Sequence, residues 1–203
     1  MRVLWAHGFE GRPNGSKPAY FEKNFGWEVH SPLLYENGFS IEDETNVILK
    51  VLDEDGPFDL IAGSSMGGLA VANAAAQRPD MNLKLILLAP AFGLDGLWRK
   101  GAKWWGLLYW RLVGRIKYHH RGLGKKIKLD WNFFKTAEQM SWPELTHPTV
   151  ILHGLEDDIV PFNNSIIASE GNKAVKLVEV DDGHRMLESL EEVRVAAEYL
   201  ENA

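Results

Sequence analysis

A serine lies between two glycines in the segment Gly63-Ser64-Ser65-Met66-Gly67. This G-x-S-x-G spacing is typical of a sharp turn from a strand into a helix, from which the serine hydroxyl projects. The glycines are needed because strand and helix approach closely there. With a base nearby, such a serine can attack an acyl group. The pattern therefore predicts Ser65 as a nucleophile; the plainer interpretation is a Gly/Ser turn that closes a strand.

Two later loops carry the partners that such a nucleophile needs. Asp157 lies in the segment 153–161, which follows an apolar strand, and His184 follows the next strand. The order serine, aspartate, histidine is the one that accompanies this serine motif. We therefore predict His184 as the general base and Asp157 as the acid that orients it. Asp158, the next residue, is the alternative acid.

A third requirement is a pair of backbone N–H groups that bind the oxyanion. Met66, directly after the predicted nucleophile, supplies one of them. The loop that follows the first strand supplies the other, with Phe9 as the predicted donor and Gly8 allowing close approach. His7 is interpreted as a residue that holds this loop.

Short apolar runs alternate with helical patterns, which favours βα units and an α/β fold with a mostly parallel sheet of about six strands flanked by helices. The predicted strands are 3–6, 27–30, 58–62, 84–89, 149–152 and 174–180. Polar loops at the carboxyl ends of such strands meet at one edge of the sheet. This arrangement of strands predicts that the three loops that carry Ser65, Asp157 and His184 converge.

The segment 94–147 interrupts this alternation and holds six of the eight tryptophans. It carries a net charge of +7, whereas the remaining residues carry −13. We predict a helical cap inserted between two parts of a core, 1–93 and 148–203. Its basic excess indicates an anionic substrate or an acidic docking surface, or else a solvated face. Four aromatic residues are predicted to line the substrate pocket or, alternatively, to form the cap's own core: Trp104, Trp105, Tyr109 and Trp110.

The bulk composition excludes several classes of protein. A net charge of −6 argues against general nucleic-acid binding, and the absence of cysteine excludes disulfides and thiolate chemistry. No stretch predicts a signal peptide or a membrane span, so we expect a cytoplasmic location. His119 and His120 have no further metal-ligand type nearby and are interpreted as cap surface. No metal or organic cofactor is expected, and the oligomeric state is left open.

Together these motifs resemble small bacterial α/β-hydrolase esterases of the YqiA type. The resemblance rests on His7-Gly8-Phe9, the serine motif, the segment 153–161 and Gly183-His184. The segment 153–161 is also similar to its counterpart in dienelactone-hydrolase-like and carboxylesterase relatives, and it places the acid on Asp157. The resemblance covers residues 1–93 and 148–203, and it implies an α/β-hydrolase fold.

The expected function is that of a serine hydrolase of the carboxylesterase type, which cleaves the carboxylic ester of a small or medium substrate through an acyl-enzyme. A thioesterase, an amidase or a C–C hydrolase would use the same three residues. A non-catalytic ligand-binding protein of the same fold is the alternative from another class. All three predicted catalytic residue types are present, which favours the enzyme.

Overall fold

The structure is a computed structural model and describes residues 1–202. Eight strands occur within this range: β1 (Arg2–Ala6), β2 (Glu28–His30), β3 (Leu60–Ser64), β4 (Leu85–Leu88), β5 (Arg115–His120), β6 (Lys125–Asp130), β7 (Thr149–Gly154) and β8 (Val175–Val180). The helices in the same range are α1 (Ser16–Phe25), α2 (Ile41–Asp55), α3 (Met66–Ala76), α4 (Leu94–Val113), α5 (Trp131–Met140), α6 (Phe162–Ser169) and α7 (Glu191–Glu201).

Six of these strands form one sheet in the order β2-β1-β3-β4-β7-β8, and every pair in it is parallel. Each of the six strands overlaps a predicted one, so the α/β prediction is confirmed. Alternate residues of β1 point to opposite faces of the sheet. Leu4 packs with the core that α2 and α3 cover, whereas Trp5 packs with the core under α1 and α7. The result is a three-layer arrangement in which both faces of a parallel sheet are buried.

The segment 94–147 contains more than helices. Between α4 and α5, strands β5 and β6 form an antiparallel hairpin closed by a 3₁₀ turn at Arg121–Leu123. Hairpin residues such as Ile127 and Leu129 are buried, and they join the same hydrophobic core as α2 and α3. This segment therefore lies on the side of the sheet that α2 and α3 cover, with α5 packed against α2.

Helix α4 is the longest of the described helices at 20 residues, and it is bent. Lys103 has φ 55° and ψ 166°, which divides it into two helical pieces. The first piece runs past the carboxyl edge of the sheet, and the second ends at Gly114, which takes a left-handed conformation (φ 74°). Among residues 1–202, no helix combines the length and the apolar character that crossing a bilayer requires.

Candidate active site

Ser65 lies on the turn between β3 and α3. Its φ of 55° and ψ of −122° are a strained combination for a residue with a side chain. The turn holds this strain because the Ser65 amide donates to Leu88 in β4 over 2.9 Å. A Cβ added at Gly63 would lie 2.7 Å from the Gly67 carbonyl oxygen, and one at Gly67 would lie 2.5 Å from the Ala6 carbonyl oxygen. Both glycines are therefore required by close backbone approach, as the spacing predicts.

The structure brings the three predicted triad residues together. The Oγ atom of Ser65 lies 3.0 Å from Nε2 of His184, and Nδ1 of the same ring lies 2.7 Å from Oδ2 of Asp157. They come from the loops after β3, β8 and β7, at the carboxyl edge of one sheet. Because Nδ1–H donates a hydrogen bond to the carboxylate, Nε2 is left as the acceptor that faces the serine hydroxyl.

Asp157 is held by four hydrogen bonds, and its side chain is fully buried. Burial by itself raises the pKa of Asp157, but hydrogen bonds from His153, His184 and the Val160 amide outweigh it and hold this pKa well below its usual range. The Ile159 and Val160 amides donate to Oδ1 over 2.9 and 2.8 Å. The carboxylate therefore remains ionised and fixed in orientation.

His153 also contacts this carboxylate. Apart from its place in the segment 153–161, no feature of the sequence predicts this role. Its Nε2 lies 3.1 Å from Oδ2 of Asp157, and its Nδ1 lies 2.7 Å from the hydroxyl of Ser165. The ring is completely buried. Since Nε2 faces only acceptors, it carries the proton and supports Asp157 from the side opposite His184.

Phe9 and Met66, the two predicted oxyanion donors, lie close to Ser65. Both residues line the same cavity as Ser65, and neither amide donates a hydrogen bond to another group of residues 1–202. Gly8 lies so close that a Cβ there would be 3.2 Å from that of Ser65. His7 holds the loop: its Nδ1 donates to the Gly8 carbonyl over 2.9 Å.

A second histidine fixes this loop from the hairpin. His120 is completely buried, and its Nε2 donates to the Phe9 carbonyl over 2.7 Å. Its Nδ1 accepts from the Leu123 amide over 3.1 Å, which sets the tautomer. The interpretation of His120 as cap surface is therefore wrong, because β5 turns this ring inward, whereas His119 is exposed.

Two cavities meet at Ser65. The first is apolar and has a volume of about 390 Å³. Its walls include Leu97 and Trp98 of α4 and Phe133 of α5. Beyond Ser65, the first piece of α4 and the loop after β7 thus enclose a space suited to a hydrocarbon group.

The second cavity, of about 620 Å³, is more polar and contains both Ser65 and His184. Lys17, Arg121 and Arg185 lie on its wall. Burial lowers the pKa of Lys17 to about 8, although the nearby Asp182 partly opposes this effect. The nucleophile therefore faces an apolar space on one side and a polar, partly cationic space on the other.

The four aromatic residues predicted for the substrate pocket lie elsewhere. None of them lines either cavity next to Ser65. Trp110 is buried and donates from its ring nitrogen to the Leu129 carbonyl over 3.1 Å, so it belongs to the core. Trp104, Trp105 and Tyr109 are exposed. The bend at Lys103 is the reason: only residues before it, such as Trp98, face the cavity.

Comparisons with known proteins agree with this fold. A profile of the family described as "Serine aminopeptidase, S33" matches residues 41–139. The mouse mitochondrial palmitoyl-protein thioesterase ABHD10 is 32% identical over 135 residues, which cover 59% of this chain and 42% of that protein. The sequence match thus spans less than half the length of this relative.

Solved structures match almost the whole chain. Est1E from Butyrivibrio proteoclasticus has a TM-score of 0.79 and 25% identity, over 99% of this chain and 87% of that one. The structure of mouse ABHD10 has a TM-score of 0.75 and 21% identity, over 99% of this chain and 88% of that one. Together with the strand order and the turn at Ser65, these likenesses show that the chain belongs to the α/β-hydrolase superfamily.

Proposed function

We propose that this chain is a serine hydrolase that cleaves a carboxylic ester through an acyl-enzyme. The observation that carries the proposal is the continuous relay from the Ser65 hydroxyl through His184 to the buried carboxylate of Asp157. Nε2 of His184 accepts the serine proton as Oγ attacks the carbonyl carbon. Asp157 stabilises the imidazolium that results. The same ring then protonates the leaving alcohol, and a water molecule activated by it releases the acid.

The amides of Phe9 and Met66 are proposed to stabilise the oxyanion. Neither amide donates a hydrogen bond within residues 1–202, and both residues line the cavity at Ser65. These amides are therefore available to a substrate oxygen. Removal of one such donor typically lowers kcat by about 10²–10³.

We propose that each of the two cavities holds one part of the ester. The apolar cavity lined by Leu97, Trp98 and Phe133 is suited to the acyl group, and the polar cavity beside Lys17 to the leaving group. We further propose that residues 1–93 and 148–203 form the catalytic core, and that residues 94–147 form a cap. The cap contributes to the acyl side through α4 and α5.

A thioesterase is the second candidate, because the same relay cleaves acyl thioesters. Two observations favour it: the cavity of about 390 Å³ beside Ser65 has an apolar lining suited to a hydrocarbon chain, and the relative ABHD10 is a palmitoyl-protein thioesterase. A series of p-nitrophenyl esters from acetate to laurate, measured beside the acyl thioesters of the same chain lengths, separates the two. Higher kcat/KM on the thioester at matched length favours the thioesterase.

The test of the nucleophile uses two neighbouring serines. A fluorophosphonate probe is expected to label the wild type and Ser64→Ala but not Ser65→Ala, since Ser64 belongs to β3 and takes no part in the relay. Turnover of p-nitrophenyl acetate is expected to follow the labelling. Labelling of Ser65→Ala at the wild-type rate would remove Ser65 from the mechanism.

A further inference from the structure

The second piece of α4, residues 104–113, presents an apolar face to solvent. Trp104 and Leu112 are 77% and 78% exposed. Six large apolar side chains make up this face: Trp104, Trp105, Leu108, Tyr109, Leu112 and Val113. Their spacing places them on one continuous side of the helix. A contiguous apolar surface of this kind marks a site of interaction.

This face is held in position by the opposite side of the same helix. Trp110 is buried against Trp98 and Phe133, and its ring nitrogen bonds to the Leu129 carbonyl. The outward direction of the exposed side chains therefore follows from a packed core.

The hairpin that follows adds positive charge. Between Asp95 and Asp130 the chain has ten basic residues and no acidic one. Five of them are exposed on β5 and β6: Arg115, Lys117, Lys125, Lys126 and Lys128. None of these five side chains forms an ion pair within residues 1–202. Lys117 lies directly opposite Lys128 in the ladder, and these two like charges repel each other until an anionic surface neutralises them.

We propose that this aromatic and basic face, residues 104–113 of α4 with the outer side of the hairpin, binds the surface of an anionic lipid bilayer. Trp, Tyr and Leu side chains enter the boundary between headgroups and acyl chains, while Lys and Arg contact the anionic headgroups. Residues 1–93 and 148–203 carry a net charge of −13 and are repelled by the same surface, which orients the molecule. A second copy of the chain fits less well, because a two-fold dimer would set the basic hairpins against each other.

The proposal does not depend on the hydrolase function, because lipid binding is measured without turnover. Gly101 and Ala102 line the apolar cavity, immediately before the bend that begins this face. A lipid-bound molecule therefore holds this wall of its cavity near the bilayer.

The experiment is co-sedimentation with vesicles of phosphatidylcholine alone and of phosphatidylcholine with phosphatidylglycerol. The wild type is expected to bind only the anionic vesicles, with a blue shift in tryptophan fluorescence. Trp104→Ser/Trp105→Ser and Lys117→Glu/Lys128→Glu are each expected to weaken binding by at least about tenfold. Thermal melting checks that both variants fold, and all four positions are exposed.

The matched control is Val195→Ser/Tyr199→Ser, which removes two exposed apolar side chains from α7 on the other side of the sheet. This control is expected to bind anionic vesicles like the wild type. Two results would overturn the proposal: no wild-type binding to anionic vesicles, or equal loss in the control. Light scattering that shows a dimer abolished by Trp104→Ser/Trp105→Ser would assign the face to self-association instead.

Discussion

The ring of His120 donates a hydrogen bond to the main-chain oxygen of Phe9 over 2.7 Å, across 111 positions of the chain. It joins the β5–β6 hairpin to the loop whose residue Phe9 lines the cavity at Ser65. Two further contacts support the same junction: Tyr118 donates to Glu10 over 3.0 Å, and Arg12 contacts the Gly122 carbonyl. The hairpin therefore fixes the position of one of the two proposed oxyanion donors.

Replacement of His120 by alanine is expected to lower kcat on p-nitrophenyl acetate by about tenfold or more, up to the 10²–10³ that follows the loss of one donor. The reason is that the Phe9 carbonyl loses its partner and the adjoining peptide is free to rotate. KM is expected to change little, because the cavities keep their walls. His119→Ala, at the exposed neighbouring position, is the control and should retain wild-type kcat.

A second variant distinguishes loss of the hydrogen bond to the Phe9 carbonyl from a general loss of folding. The side-chain amide of His120→Gln can donate to the same carbonyl and is expected to recover part of kcat. If His120→Gln and His120→Ala lose kcat equally while both melt at the wild-type temperature, the hydrogen bond does not position the loop.

Asp157→Asn is expected to lower kcat by about 10⁴ with the fold retained, because an amide at this site no longer fixes the productive tautomer of His184. Asp158→Asn is the control, since the ring of His184 bonds to Asp157 and not to Asp158. This control is expected to retain wild-type kcat. Steady-state kinetics and circular dichroism measure both effects. A tenfold or smaller loss in Asp157→Asn would show that another group orients His184.

Gly67→Ala is expected to destabilise the protein by several kcal/mol, because the new methyl group meets the carbonyls of Ala6 and His7. Gly106→Ala is the control. A Cβ at Gly106 meets only the Ala102 side chain, at an ordinary 3.7 Å, and a glycine in a helix is less favourable than alanine by up to about 1 kcal/mol. Denaturant unfolding is expected to move the two midpoints in opposite directions. Equal stability of Gly67→Ala and wild type would contradict the close approach.

The sheet and the convergence of Ser65, Asp157 and His184 were predictable because each depends on local signals. Glycine spacing marks the turn at Ser65, and the other two residues follow apolar strands whose carboxyl ends share one edge. The burial of His120 has no such signal, because it depends on Phe9, more than a hundred residues away. One prediction was wrong because α4 bends at Lys103, and composition does not reveal such a bend. That prediction placed four residues in the lining of the substrate pocket: Trp104, Trp105, Tyr109 and Trp110.

The carboxyl group of Glu44 in α2 is completely buried, and neither of its oxygens has a hydrogen-bond partner within residues 1–202. Burial raises the pKa of Glu44 well above its ordinary value of 4.5, and the charge of Asp43 adds to the effect. The folded state therefore holds this proton more tightly than the unfolded state does. The resulting stability is complete below pH 4.5 and is lost as the pH rises toward the folded pKa, at about 1.4 kcal/mol per pH unit.

Glu44→Gln cannot lose a proton, so its free energy of unfolding is expected to fall less between pH 5 and pH 7 than that of the wild type. Urea unfolding at several pH values measures the two slopes, and the comparison of slopes removes the constant effect of a buried amide. Glu42→Gln, exposed on the same turn of α2, should keep the wild-type slope. Parallel curves for Glu44→Gln and wild type would mean that Glu44 is ionised in the folded protein, and its carboxylate would then need a cationic or hydrogen-bonding partner in α2 or the helices packed on it.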